Sequence, residues 1–164
     1  MRFLRQALAT LAIATALFAA PLAQALGDPQ ALAAYQAKNY REAMRLYKPL
    51  AEQGDAEAQY YIGHMYEKGE GVRKNEREVA KWYRRSAEGG YAPAQYRLAV
   101  GYAFGLAGLS KDQDEATKWL RRSAEGGYKK AQKILSRAYA EGRFGLPVDR
   151  KQAEYWSQKA ESKS

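Results

Sequence analysis

The sequence predicts an all-α protein built as a solenoid of helix-pair repeats, and three observations carry that reading. The string RRSAEGGY occurs at 84–91 and again at 121–128, 37 residues further on. Trp82, Trp119 and Trp156 follow one another at the same interval of 37. Gln59, Gln95 and Gln132 keep step at intervals of 36 and 37. A fixed period of this length is the mark of a repeat architecture in which each unit buries its apolar face against the next. With both marks aligned, Tyr66, Tyr102 and Tyr139 come into register, as do Gly69, Gly105 and Gly142. Asn75, Asp112 and Asp149 close the alignment.

Residues 1–25 stand apart from the repeats. Arg2 and Arg5 make a basic start, residues 7–20 are apolar except for Thr10 and Thr15, and Ala23-Gln24-Ala25 has the small-x-small form of a cleavage site. The run is too short for a bilayer span, which needs about 20 apolar residues. We therefore expect a Sec-type signal peptide cleaved after Ala25, a periplasmic or secreted product, and no transmembrane segment in the mature chain. Cysteine is absent, so neither a disulfide framework nor a lipid-attachment thiol is expected. Lys+Arg number 27 and Asp+Glu 18; removing Arg2 and Arg5 leaves 25 − 18 = +7. A basic surface outside the cytoplasm points to acidic proteins or anionic envelope components as partners, and away from nucleic acid. With His64 as the single imidazole, no metal or cofactor is expected.

The leading unit, 26–54, is degenerate. Asp28-Pro29 opens its first helix by N-cap and first-turn preference. Asn39 lies 36 residues before Asn75, followed by Ala43, Leu46, Tyr47, Leu50 and Ala51 at matching offsets, and Pro49 should distort the last turn. Three fuller units follow at 55–90, 91–127 and 128–164. In each, a first helix begins near Asp55, Ala92-Pro93 or Tyr128. Its core series runs in steps of four: Ala58, Ile62, Tyr66; Ala94, Leu98, Tyr102; Ala131, Leu135, Tyr139. A glycine ends that helix. Asn75, Asp112 or Asp149 caps the second helix, whose stripe is Val79, Trp82, Ala87 and its equivalents. The tryptophans sit where a buried helical face requires them, which accounts for their spacing better than a ladder of ligand-stacking rings.

The strings AQYYIGHMYEKGEGV, NEREVAKWYRRSAEGG and AQYRLAVGYAFG resemble Sel-one-like repeats (SLRs), relatives of tetratricopeptide repeats. The resemblance extends over nearly the whole mature chain, with departures at Ser136, opposite Gly63 and Ala99, and at Ser157, opposite Tyr83 and Leu120. It implies a right-handed α-solenoid that acts as a non-catalytic adaptor for a protein or peptide partner; a monomer is expected. Some exported helical-repeat relatives have been called β-lactamases. The chain contains no Ser-x-x-Lys, Gly-x-Ser-x-Gly or His-Glu-x-x-His, so a β-lactam or cell-wall hydrolase finds no support in its residues.

In tetratricopeptide-like stacks the first helices line a concave groove. Offsets of two and six from the core alanine point furthest from the core, giving Tyr60 and His64, Tyr96 and Val100, Lys133 and Arg137. Offset three adds Tyr61, Arg97 and Ile134. Tyrosine mixed with arginine is the composition interfaces favour. A second candidate surface is the pair Arg84-Arg85 with its copy Arg121-Arg122. These are expected to lie away from the tryptophan stripe and form a convex basic stripe for an anionic polymer or lipid. A solvated helix end with cations near its C-terminus explains the same residues without a ligand. The leader prediction has a direct check: mass spectrometry of the protein from its host's envelope fraction should find a mature chain beginning at Leu26, whereas a chain beginning at Met1 would refute cleavage.

Overall fold

The structure, a computed structural model, describes residues 28–162. The expected signal peptide and its cleavage site lie outside the described residues. Eight α-helices follow in order: α1 (Pro29–Gln36), α2 (Tyr40–Glu52), α3 (Ala56–Lys68), α4 (Glu76–Glu88), α5 (Ala92–Phe104), α6 (Gln113–Glu125), α7 (Lys129–Glu141) and α8 (Arg150–Glu161). Each packs chiefly against its neighbours in sequence, so the fold grows along one axis and the core is a continuous seam.

Local chemistry sets the helix boundaries. Asp28, Asp55, Asn75, Asp112 and Asp149 each accept a hydrogen bond from a first-turn N–H, satisfying donors that have no intrahelical partner. Acidic residues fill the first turns of α4 and α6, and Arg85 and Arg122 their last turns, the arrangement the helix dipole favours. Asn39 differs from its counterparts: it occupies the cap position of α2 without making the side-chain bond. Pro49 does not interrupt α2, which continues to Glu52 and ends with Gln53 in ordinary right-handed geometry. Proline is tolerated one turn from a helix end because little helix remains beyond it to displace.

The seam is built from alanines and rings in alternation. Ala58, Ala94 and Ala131 are buried at the same place in successive first helices, letting the second helices approach closely. Trp82, Trp119 and Trp156 are buried, and the indole N–H of Trp82 and of Trp119 donates to Glu78 and Glu115 one turn earlier, at 2.8 and 3.0 Å. A ring so placed has its polar edge satisfied and its body in the core, which is a packing role.

RRSAEGGY becomes legible at this level. The hydroxyls of Ser86 and Ser123, both fully buried, donate to the carbonyls of Ala56 and Ala92 at the start of their own unit's first helix. The first glycine of each pair permits contact: a Cβ on Gly89 or Gly126 would lie 2.9 Å from the Cβ of Ala56 or Ala92. The second, Gly90 or Gly127, turns the chain at φ of 88° or 84°. Across that turn the buried side-chain amides of Gln59, Gln95 and Gln132 donate to the carbonyls of Ala51, Ala87 and Ala124 at 2.9, 3.1 and 3.0 Å. The string is a joint between units.

The caps yield a graded test. Replacing Asp112 with alanine should cost about 1 kcal/mol of unfolding free energy, while Asn39→Ala should cost only a few tenths because no bond is lost. Chemical denaturation of the two variants side by side measures the difference, and equal losses would contradict it.

Candidate functional site

The first helix of every pair contributes to one surface, and side-chain contacts run along it from α1 to α7. The two halves of that surface have different chemistry. Over α1 and α3 it is occupied by rings. Tyr61 stacks on the buried Tyr47, with centroids 4.8 Å apart and planes 8° from parallel. Tyr35 meets Tyr61 at 5.0 Å, and Tyr60 lies within 5.3–5.7 Å of Tyr61, Tyr83 and Tyr91. The large rings fold back on one another, and Tyr60 and Tyr61 are half-buried.

Two carboxylates tie this cluster together. The Tyr35 hydroxyl donates to Glu70 at 2.9 Å and lies 2.8 Å from His64 Nδ1. A phenol has one proton to give; with that proton on Glu70, Tyr35 accepts from His64, which places the imidazole proton on Nδ1. Burial, seconded by the charge of Arg97, holds the His64 pKa below its ordinary 6.5 against the opposing pull of Glu67 and Glu70. The Tyr83 hydroxyl donates to Glu67 at 2.8 Å, and Glu67 pairs with Arg97 at 3.7 Å. Burial and that carboxylate raise the Tyr83 phenol far above its ordinary value, so it remains a donor at any physiological pH.

Over α5, α6 and α7 the surface opens into a cavity of about 440 Å³. Tyr96, Val100, Ile134 and Arg137, four of the nine residues predicted from the offsets, line it. Its floor is Ala99, Ala103, Ala116 and Leu120, and Phe104 and Phe144 stand at its rim. Phe104 is 67% exposed, an unusual state for a phenylalanine beside an apolar cavity. Lys133 and Arg137 are exposed one turn apart on α7, and neither has an acidic partner among the described residues. Arg143 is paired with Glu141 at 2.6 Å. The remaining predicted residues, Tyr60, Tyr61, His64 and Arg97, belong to the ring network. Sequence reasoning missed Tyr35, Glu67, Glu70, Phe104 and Phe144. Glu67 and Ala103 stand at offset nine, so carrying the stripe of offsets two and six one turn further would have found both.

The arginine pairs require a correction. Arg85 and Arg122 do not lie away from the tryptophans: their guanidinium carbons sit 4.9 and 4.8 Å from the ring centroids of Trp82 and Trp119. A residue three positions after a tryptophan on a helix faces the same way, and the cation settles on the ring. Arg84 donates to the Tyr102 hydroxyl at 3.3 Å, and Arg121 lies 6.0 Å from the Tyr139 ring. Each of the four arginines therefore has an aromatic neighbour, which accounts for the repeated pair through packing.

Comparison with known proteins agrees with this architecture. The family model for the Sel1 repeat matches four times, at residues 32–55, 56–91, 92–128 and 129–164. A Sel1 repeat protein from Oxalobacter formigenes, solved by crystallography, is 37% identical and superposes with a TM-score of 0.73 over 80% of the present chain and 53% of its own. A protective antigen of uropathogenic Escherichia coli strains with an SLR fold is 28% identical over 74% of the chain and 33% of its own, at a TM-score of 0.44. The chain thus spans about half the length of the first of these solved structures and a third of the second. No curated protein matches it.

The ring cluster has a pH signature. A folded-state histidine pKa below 6.5 means that the unfolded chain takes up the proton first, so stability contributed by neutral His64 is present above pH 6.5 and is lost as pH falls through the folded-state value. An NMR titration of the single imidazole should give a midpoint below 6.5, and His64→Asn, which keeps a donor for Tyr35, should flatten the dependence of unfolding free energy on pH in that window. A midpoint at or above 6.5 would contradict the geometry.

Proposed function

The chain belongs to the Sel1 repeat family, a fold of right-handed α-solenoids that commonly serve as protein-interaction scaffolds, and on that premise we propose that it is an exported scaffold which holds a protein or peptide partner on the surface of α1, α3, α5 and α7. One observation supports the choice of surface above the others. The cavity between α5, α6 and α7 is open and mostly apolar, and it is flanked on α7 by Lys133 and Arg137, neither of which has an acidic partner among the described residues. Family folds of this kind are typically non-catalytic. The residues gathered on the surface are rings, carboxylates committed to ring hydroxyls, and cations, a set suited to recognition.

Export to the periplasm or beyond belongs to the same proposal and rests on the basic, apolar and small-x-small succession of residues 1–25. Binding of an anionic polymer or lipid through Arg84, Arg85, Arg121 and Arg122 is the weaker reading, because their positions follow from packing on Trp82, Trp119, Tyr102 and Tyr139.

Site-specific photo-crosslinking in the host's envelope separates the two. A benzophenone side chain at Tyr96 should capture a partner and one at Arg84 should not. Glutamine at all four arginines should leave the yield from position 96 within about twofold, since rim charges away from a contact contribute little. Crosslinks from position 84 alone would overturn the groove reading.

A further inference from the structure

The cavity exists because one repeat position changes size. In the preceding unit the same place is filled. Tyr83 lies over Gly63, where a Cβ would stand 2.8 Å from the Tyr83 ring, and its hydroxyl is tied to Glu67, which is in turn paired with Arg97. One unit later the equivalents are Leu120, Ala99 and Ala103. Leucine is shorter than tyrosine, the alanine at 99 leaves no room for a ring laid as Tyr83 is, and alanine at 103 supplies no carboxylate to anchor one. The space the phenol occupies in the first groove is left open in the second, within mostly apolar walls that Arg137 and the Glu141–Arg143 pair interrupt.

We propose that this cavity is a specificity pocket for an aromatic or large aliphatic side chain carried on an acidic peptide segment, with a carboxylate beside the anchor residue meeting Lys133 and Arg137. The assignment rests on the groove reading above and names what the groove selects. An opening of about 440 Å³ falls within the size range of ligand pockets and is ample for one large side chain with part of its neighbour. The exposed Phe104 ring extends the apolar wall beyond the cavity, where the anchor's flanking residue would cover it. Charge selects the sign of the partner. The outward positions of α7 carry Lys129, Lys130, Lys133 and Arg137, and its one acidic residue, Glu141, is engaged by Arg143. An acidic segment is drawn to that face and a basic one is repelled. In the first groove the Tyr83 ring occupies the equivalent place, so the anchor belongs to the second.

Random dodecapeptides displayed on phage and selected on the full chain test the proposal without a known partner. Enriched peptides should share an aromatic residue or leucine with Asp or Glu within two positions. Synthetic copies should lose at least about tenfold in affinity when the anchor becomes alanine, or when the acids become lysine, tenfold being 1.4 kcal/mol. On the protein side, Ala99→Gly with Leu120→Tyr copies the packing of the first groove into the second and should weaken binding at least about tenfold while the helical circular dichroism is retained. The surface pair Lys133→Glu with Arg137→Glu leaves the core untouched and should shift preference to the lysine-bearing copy. Peptides that bind the filled variant as tightly as the wild type would overturn the pocket and leave the groove reading standing. Enriched peptides without acidic residues would overturn the charge assignment. No enrichment at all would overturn both readings.

Discussion

The structure depends on the joint at which one helix pair hands the chain to the next. A helix end leaves carbonyls without partners, and a solenoid buries such an end at every repeat. Here the carbonyls of Ala51, Ala87 and Ala124 each accept a turn N–H, from Gly54, Gly90 and Gly127, and then a second donor, the amide of Gln59, Gln95 or Gln132 from the following helix. Ser86 and Ser123 make the complementary link back to Ala56 and Ala92. Because the glutamine side chain comes from the next unit, the bond fixes how far apart successive units stand. The small residues around it, Gly89 against Ala56 and Gly126 against Ala92, set the closeness of approach within a unit. Regularity of the whole stack follows from these few contacts, since each unit touches little beyond its neighbours.

A regular frame makes a single irregular position consequential. Tyr83, Leu120 and Ser157 are equivalent in the repeat and differ in size and polarity. With tyrosine the groove closes over a ring held by Glu67, and with leucine it opens into a cavity. The same contrast separates the two ends of the recognition surface. Its first half is a network of rings and hydrogen-bonded carboxylates around Tyr35, Tyr61 and His64. Its second half is a mostly apolar hollow beside the exposed Lys133 and Arg137.

Helix boundaries were readable because they are local. An Asp or Asn followed by an apolar run and closed by glycine states its own start and stop, and Asp55, Asn75 and Asp112 do so. Asn39 shows the limit of that logic, since a residue of the right type at the right place made no bond. The core alanines and tryptophans were readable from periodicity. Arg85 and Arg122 come to lie on the tryptophans because a residue three positions further along a helix shares the ring's face. Groove residues on each helix were countable by offset, yet the roles of Tyr60 and Tyr61 depended on neighbours from other units that no offset counts.

By itself, then, the order of residues determined the repeat, its helix pairs, its core stripe and the face turned outward. These follow from hydrogen bonds and side-chain directions within one or two turns of chain. Only the tertiary structure decided which outward residues are spent on one another and which stay free, because that depends on rings brought together from positions 14 to 35 residues apart, as Tyr47 meets Tyr61 and Tyr35 reaches Glu70. The cavity is the clearest case. Leu120 reads in sequence as one more core residue; it takes Tyr83 lying over Gly63 in the unit before to reveal the space that leucine leaves empty.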